Sequence, residues 1–474
     1  MHLTFNGTDW FWVALYVAFL LVAGFGIRRE TVRGWLIAEN NLGPLVFVAT
    51  LVATWYGAVL GAGEFVYTDG LSAWVVNGLP YYLFGLLFAF GLARRVRAAG
   101  ATNFTIPDKL AEAYGKPAAL LGAALTFIYA SPSQYALMAA LLFSAITGLP
   151  VLPAMLLAVL FSVVYVFRGG FLADVRVNTV QFTMMFAGFT LLAWVCIQRF
   201  GGVHALLRPG ALPKTHLAPL GVHSIGWALV WFFIALTTLV DPGFHQRCYA
   251  ARSGRIAVWG IVGAVCCWMV FDALTTFTGL FSRKLAPGLP DALYAFPALA
   301  QRALPHGLKG FFVVGMLAPI MASLVSYTFI AGVTVGRDLL WRIKPELPEH
   351  RIPSLTRWGL FATSALAIGI AIEVPSVVQQ WYAFGNVYVP ALLLPLLGAY
   401  APSGWRPDGR FALWGIATGG GSALVSLLWG WRHGGFDAPE FLLGWQPMYL
   451  GLAFSSAIYG FGLAVKRSVR TATP

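Results

Sequence analysis

The sequence predicts an all-α integral membrane protein with thirteen transmembrane helices. Of its 474 residues, 59% are hydrophobic and only 10% charged, whereas an ordinary soluble domain is about a quarter charged. Apolar runs of about 20 residues, the length an α-helix needs to cross the hydrocarbon core, recur along the whole chain. The lysines and arginines cluster in alternate connections between these runs, which supports the count and gives an orientation.

The runs lie near 9–27, 42–66, 74–93, 117–147, 150–167, 177–197, 222–240, 255–281, 308–336, 355–372, 380–401, 411–430 and 444–465. The first has no basic segment ahead of it and is followed by "RRE", so it reads as a retained helix and not a cleaved signal peptide. With thirteen spans and an outside N-terminus, the connections after odd-numbered spans and the C-terminus face the cytoplasm. Most of the 31 basic residues lie there, among them Arg28, Arg29, Arg94, Arg95, Arg97, Arg247, Arg252 and Arg337. The net charge of +13 therefore points to the lipids of the inner leaflet of a plasma membrane, and not to nucleic acid.

Helix breakers at membrane depth survive only where they line a cavity or are buried in protein. The second run is the strongest case, with "VATWYGAVLGAGEFVY" carrying Gly57, Gly61 and Gly63 and ending on Glu64. Small residues at four-residue spacing let helices touch. An unwound turn instead bares carbonyl oxygens that can replace the water around a small cation. The addition of Gly63, Glu64, Thr54 and Tyr56 favours the ion-site reading.

Counting supplies the architecture. A division into 1–33 (an extra helix), 34–221 (spans 2 to 6), 222–401 (spans 7 to 11) and 402–474 (two helices and a tail) gives two halves with five helices each. An odd number per half forces opposite orientations, the 5+5 inverted-repeat plan of many secondary transporters.

Five segments, in order, resemble the sodium:solute symporter family, whose members include sodium-coupled sugar, proline, pantothenate and sialic acid carriers. They are "WLIAENNLGPLVFVATLVATWYGAVLGAG", "NFTIPDKLAEAYGK", "VYVFRGGFLADVRVNTVQF", "HQRCYAARS" and "GMLAPIMASLVSYTFIAGVTVGRDLL". The resemblance implies a leucine-transporter-like fold that works by alternating access. It also implies a Na+ site built from the carbonyls of Ala53, Tyr56 and Pro319 and the hydroxyl of Ser323. A second family hydroxyl falls on Ala322, which has none, and Asn178 stands where the family often has an aspartate. A water or Ser326 would complete the shell. The expected function is secondary active import of a small polar organic solute, coupled to Na+. With Ala322 in place, a proton-coupled carrier or an uncoupled facilitator is the alternative.

Glu64, Asp272 and Asn178 are the candidates for ion coupling. An unpaired carboxylate at the depth of Asp272 costs about 3 kcal/mol or more, so a hydrogen bond to a neighbouring Thr or Asn is its expected partner. Trp55, Tyr81, Tyr82, Gln134, Trp227 and Trp231 are the expected substrate-binding residues, since rings with one polar edge suit sugars and zwitterions. Interfacial anchoring is the competing role for such aromatics. Arg168, Asp174, Arg176 and Arg247 read as topology determinants; an inner gate pairing Asp174 with an arginine is the sharper alternative.

Other classes are disfavoured. The eight histidines fall in loops or at span ends, where they cannot face each other around a haem. No GxxxxGK[ST] loop is present to bind ATP. Cys196, Cys266 and Cys267 lie in runs and Cys248 in an inner loop, without CxxC spacing, so they read as small buried residues. A channel or membrane enzyme ranks below a carrier, and the chain is expected not to be an enzyme.

Overall fold

The computed structural model describes residues 1–25, 31–436 and 439–472. Arg28 and Arg29 lie outside them. The described elements are helices, joined at one point by an isolated parallel bridge between Leu42 and Ala251. Among the described residues, eleven helices are long and apolar enough to cross a membrane. Two shorter apolar helices, Gly7–Ala23 and Val151–Val164, fall on the first and fifth expected runs.

Burial separates the centre from the rim. In Leu308–Trp341, 89% of the apolar window is buried, against 33% in Glu349–Glu373 and in Pro447–Ser468. Leu308–Val333 is thus the axis of the bundle, and it packs most extensively on Val151–Phe200. The outer helices present Trp194, Trp259, Trp358, Trp414 and Phe461, an apolar exterior of the kind lipid covers.

The fifth and sixth expected runs are not separated by a loop. Val151–Phe200 is one 50-residue helix bent at Gly170, whose φ is 55° and ψ −148°. A side chain there would strike the Trp35 carbonyl and indole, and the positive φ suits glycine alone. Asp174 and Arg176, expected in an inner loop, are consequently helical.

Several of the described helices are broken, two of them with consequences for the site. Pro44–Trp55 and Val59–Asp69 are joined by a 3-10 turn at Tyr56–Ala58. Gly57 is not in the left-handed region; it lacks a side chain because Ser323 and the Pro319 carbonyl fill the space where a Cβ would lie. Gly61 meets Val377 and Trp381 in the same way, and Gly63 meets Phe296. Close packing, not conformational freedom, therefore explains these three glycines. The second broken helix consists of Ile225–Ile234, Thr237–Val240 and Pro242–Ala250. Proline cannot continue the helix at this point, and Asp241 turns extended (φ −68°, ψ 124°) to cap the next segment, accepting from the Phe244 N–H at 2.9 Å.

The start of the first broken helix is tied to the end of the second. Leu42 N–H donates to Ala250 O at 3.0 Å, and Arg252 N–H donates to Leu42 O at 3.0 Å. Just before this bridge, Ala38, Glu39 and Asn40 take φ values of 48°, 56° and 55°. Arg33 grips Asn40 Oδ1 at 2.6 Å and Gly100 O at 2.6 Å, and Asn40 donates to Tyr249 O at 2.5 Å. Two expectations about position are corrected here. His245 and Cys248 are buried within Pro242–Ala250 and not in a loop, because the chain re-enters a helix after the break at Asp241. Cys266 is exposed, not buried.

Candidate functional site

The break in the first helix, the middle of Leu308–Val333 and the bend region of Val151–Phe200 meet at one place. Ser323 Oγ lies 2.5 Å from Thr54 O, 3.1 Å from Pro319 O and 3.5 Å from Ala53 O. One hydroxyl proton cannot serve three carbonyl oxygens, so the cluster has acceptor capacity to spare for a small cation. Ala53, Pro319 and Ser323 are brought together as the sequence suggested. Thr54 supplies the third carbonyl near Ser323; the Tyr56 side chain points to Asp272, which does not bear on its backbone carbonyl as a ligand.

One helical turn from Ser323 sits a buried polar knot. Ser326 Oγ donates to Asp174 at 2.6 Å. Asn178 Nδ2 is 3.0 Å from Thr50 Oγ1, 3.2 Å from Thr54 Oγ1 and 3.2 Å from Asp174 Oδ1. Arg247 donates to Thr54 Oγ1 at 2.7 Å and to Ser326 Oγ at 3.0 Å, and pairs with Asp174 at 3.4 Å. Arg247 is 0% exposed. It is not a charge in a cytoplasmic loop, because Pro242–Ala250 carries it into the bundle. The Asp174–arginine pair envisaged from sequence is thus formed, with Arg247 as its partner and Arg176 left exposed.

Beside the break lies a cavity of about 120 Å³ that is partly open to solvent. Trp55, Tyr56, Tyr81, Tyr82, Gln134 and Asp272 all line it. Both oxygens of Asp272 accept phenol protons, one from Tyr56 and one from Tyr82. The expected Thr or Asn partner is replaced because Thr275 bonds Tyr56 instead, at 2.9 Å. Trp227 and Trp231 are not among the lining residues. Trp227 stacks on His223 at 3.8 Å, and Trp231 packs on Phe65 at 5.1 Å. Glu64 is also outside the lining, with Oε2 buried and without a hydrogen-bond partner.

Sequence reasoning missed part of the lining. Tyr129, Tyr135, Tyr327 and Trp268 come from separate helices and Trp381 and Phe384 from Val377–Tyr400, and the six share no local motif. Tyr327 lies four residues after Ser323, on the same helix face. Behind it, Asp241 accepts from Tyr327 at 2.9 Å and from Tyr129 at 3.2 Å. The "DPG" triplet at Asp241–Gly243 was the signal for this second break.

On the same side as the Leu42 bridge, Thr105 caps Ile106–Tyr114. Asp108 in its first turn pairs with Arg337 and Arg342, both at 2.5 Å. Burial pushes the Asp108 carboxyl up, but the two guanidiniums outweigh it and hold the group below the usual carboxylate range.

Two broken helices, a cluster of carbonyl oxygens around one hydroxyl and an adjoining aromatic cavity fit a multi-span secondary transporter. Residues 35–419 match the model of the sodium:solute symporter family. The chain is 24% identical over 477 residues to the sodium/pantothenate symporter of Escherichia coli (strain K12), covering 93% of this chain and 96% of that one. It is 24% identical over 440 residues to the high-affinity choline transporter 1 of Caenorhabditis elegans, covering 83% and 72%. In fold it matches a substrate-bound, outward-open Na+-coupled sialic acid symporter with a TM-score of 0.77, at 14% identity and 98% coverage of both chains. The chain belongs to the sodium:solute symporter family, a family of transporters and not enzymes, with Na+ as the coupling ion.

Proposed function

We propose that the chain imports a small polar organic solute across the plasma membrane by alternating access, driven by Na+. The observation that carries this reading is the convergence of Ser323 Oγ on the carbonyls of Ala53, Thr54 and Pro319, directly beside the lined cavity. A hard cation takes oxygen ligands, and carbonyl dipoles at a helix break supply them without a charged ligand. Ala53, Pro319 and Ser323 are proposed as ion ligands, with the Tyr56 carbonyl as a fourth and Asn178 as part of the surrounding shell. Trp55, Tyr81, Tyr82 and Gln134 are proposed to touch the solute. Trp227 and Trp231 are proposed as part of its outer approach, where Glu64 would screen incoming cations.

The same reading comprises thirteen spans, an outside N-terminus, a cytoplasmic C-terminus and lipid as the surrounding partner, with no nucleic acid. It divides the chain at 1–33, 34–221, 222–401 and 402–474, with a 5+5 inverted repeat. Support for the repeat comes from position: the two broken helices open the two proposed halves, and the start of one meets the end of the other at Leu42 and Ala251.

A second reading, proton coupling or uncoupled facilitation, is favoured by Arg247. Its guanidinium holds Thr54 Oγ1 and Ser326 Oγ one turn from Ser323, and Ala322 offers no hydroxyl. Uptake by the purified chain in proteoliposomes decides between them. The Na+ reading requires uptake that rises with an imposed Na+ gradient and not with an equal K+ gradient. Uptake that follows only a pH gradient, or none, replaces it.

A further inference from the structure

The donors and acceptors of the cavity narrow the class of solute, an inference that rests on the transport reading above. A tyrosine hydroxyl has a single proton to give. Tyr56 and Tyr82 give theirs to Asp272, and Tyr129 and Tyr327 give theirs to Asp241. All four phenols line the cavity, so what they retain for a solute is oxygen lone pairs. Gln134 adds an amide oxygen that is buried and without a hydrogen-bond partner.

Charge points the same way. Asp272 is the one charged residue of the described lining, which holds no lysine, arginine or histidine. Its partners are neutral phenols, which orient the carboxylate without cancelling its charge. Asp241, behind the wall, is held by two phenols and the Phe244 N–H, with the Arg247 guanidinium nearby, so Asp272 is the carboxylate that faces the cavity. A carboxylate in such an enclosed site is stabilised by an opposite charge brought close to it. The remaining wall is indole and phenyl, from Trp55, Trp268, Trp381 and Phe384. Aromatic faces carry partial negative charge and attract cations, ammonium groups above all.

We propose that the solute is a small organic monocation, an alkylammonium, with its charged nitrogen beside Asp272 among these rings. A carboxylate or phosphate would find no cationic side chain in the described lining and would face the Asp272 charge. A neutral polyol would leave the carboxylate without a counter-charge.

The test compares ligands of one shape that differ in charge. Thermal unfolding of the whole chain in NaCl is followed with choline, with ethanolamine, with 3,3-dimethyl-1-butanol, the uncharged isostere of choline, and with myo-inositol and pantothenate as a neutral polyol and an anion. A ligand bound only by the folded state raises the midpoint by mass action. The expected result is a rise with choline or ethanolamine, none with the isostere, and about a tenfold or greater loss of choline affinity in Asp272→Asn. An equal response to the isostere overturns the proposal without any variant having to fold. So does a response confined to myo-inositol or pantothenate, which leaves the transport reading in place if proteoliposomes accumulate that solute. Proteoliposomes that accumulate no member of the panel under any ion gradient overturn both.

Discussion

Gly57 and Ser323 touch so closely that a Cβ on Gly57 would overlap the serine hydroxyl and press on the Pro319 carbonyl. The contact holds the break of the first helix against the axis of the bundle, and it brings the oxygens of the proposed ion site within reach of one another. Gly57→Ala inserts a methyl group where there is no free volume, and overpacking of that kind costs about 1–3 kcal/mol. Solute uptake at limiting Na+ is expected to fall about tenfold, with a raised Na+ requirement. An unchanged Na+ titration would show that the two helices need not touch.

Removing the hydroxyl tests the ligand set directly. Ser323→Ala leaves the carbonyls of Ala53, Thr54 and Pro319 without their shared donor and deletes one proposed ligand. Na+ dependence of uptake is expected to disappear, and Na+-driven uptake that survives the change would remove the site from this position. Ala322→Ser adds the neighbouring hydroxyl and is expected to lower the Na+ concentration for half-maximal uptake. No shift in that concentration would mean that Ala322 is not the weak point.

Arg247 and Asp174 form a buried pair, and breaking such a pair costs about 3–5 kcal/mol because the remaining charge is stranded. Arg247→Gln should therefore lower the unfolding midpoint in KCl. The freed Asp174 carboxylate then becomes an acceptor for a cation, so NaCl should restore more stability to this variant than it gives the native chain. The double change Arg247→Gln with Asp174→Asn is expected to lose that extra salt response. Equal Na+ stabilisation of all three proteins would argue against any coupling between the pair and the ion.

Acid should loosen the cluster around Asp108. Its carboxyl is held below the usual range by Arg337 and Arg342, which outweigh the upward push of burial. A depressed folded value means that the contribution is complete above the unfolded pKa, about 4, and is lost as pH falls through the folded one. Asp108→Asn is expected to cost about 3–5 kcal/mol at neutral pH. The gap between the two unfolding midpoints should stay constant down to about pH 5 and narrow in stronger acid. A gap that does not change with pH would assign the effect to packing.

Much of the architecture was written in composition and breakers. Apolar run length located the helices, and the glycine cluster after Ala53 marked the first break. What remained hidden depends on which faces meet. Arg247 sits near the end of an apolar run, where a basic residue reads as a cytoplasmic anchor; only the continuation of Pro242–Ala250 into the bundle turns it inward. Asp174 was counted in a loop because the glycine bend at Gly170 imitates one. Trp227 and Trp231 have the four-residue spacing of one helix face, but that face packs on Phe65 and His223, above the cavity lining. Tyr129, Tyr135 and Tyr327 carry no local signal, since their common role arises from three helices converging.

Ala38, Glu39 and Asn40 follow one another with left-handed backbones, and none is glycine. Each such residue costs on the order of 1 kcal/mol for an L-amino acid, asparagine least. The turn keeps this shape while Arg33 and Asn40 stay fastened to Gly100 and Tyr249. Should the second broken helix swing away from Leu42, the Asn40–Tyr249 fastener would be lost and the strain would have less to hold it. The turn thus resembles a sprung clasp, a strained coil that hydrogen bonds to its neighbours hold in shape.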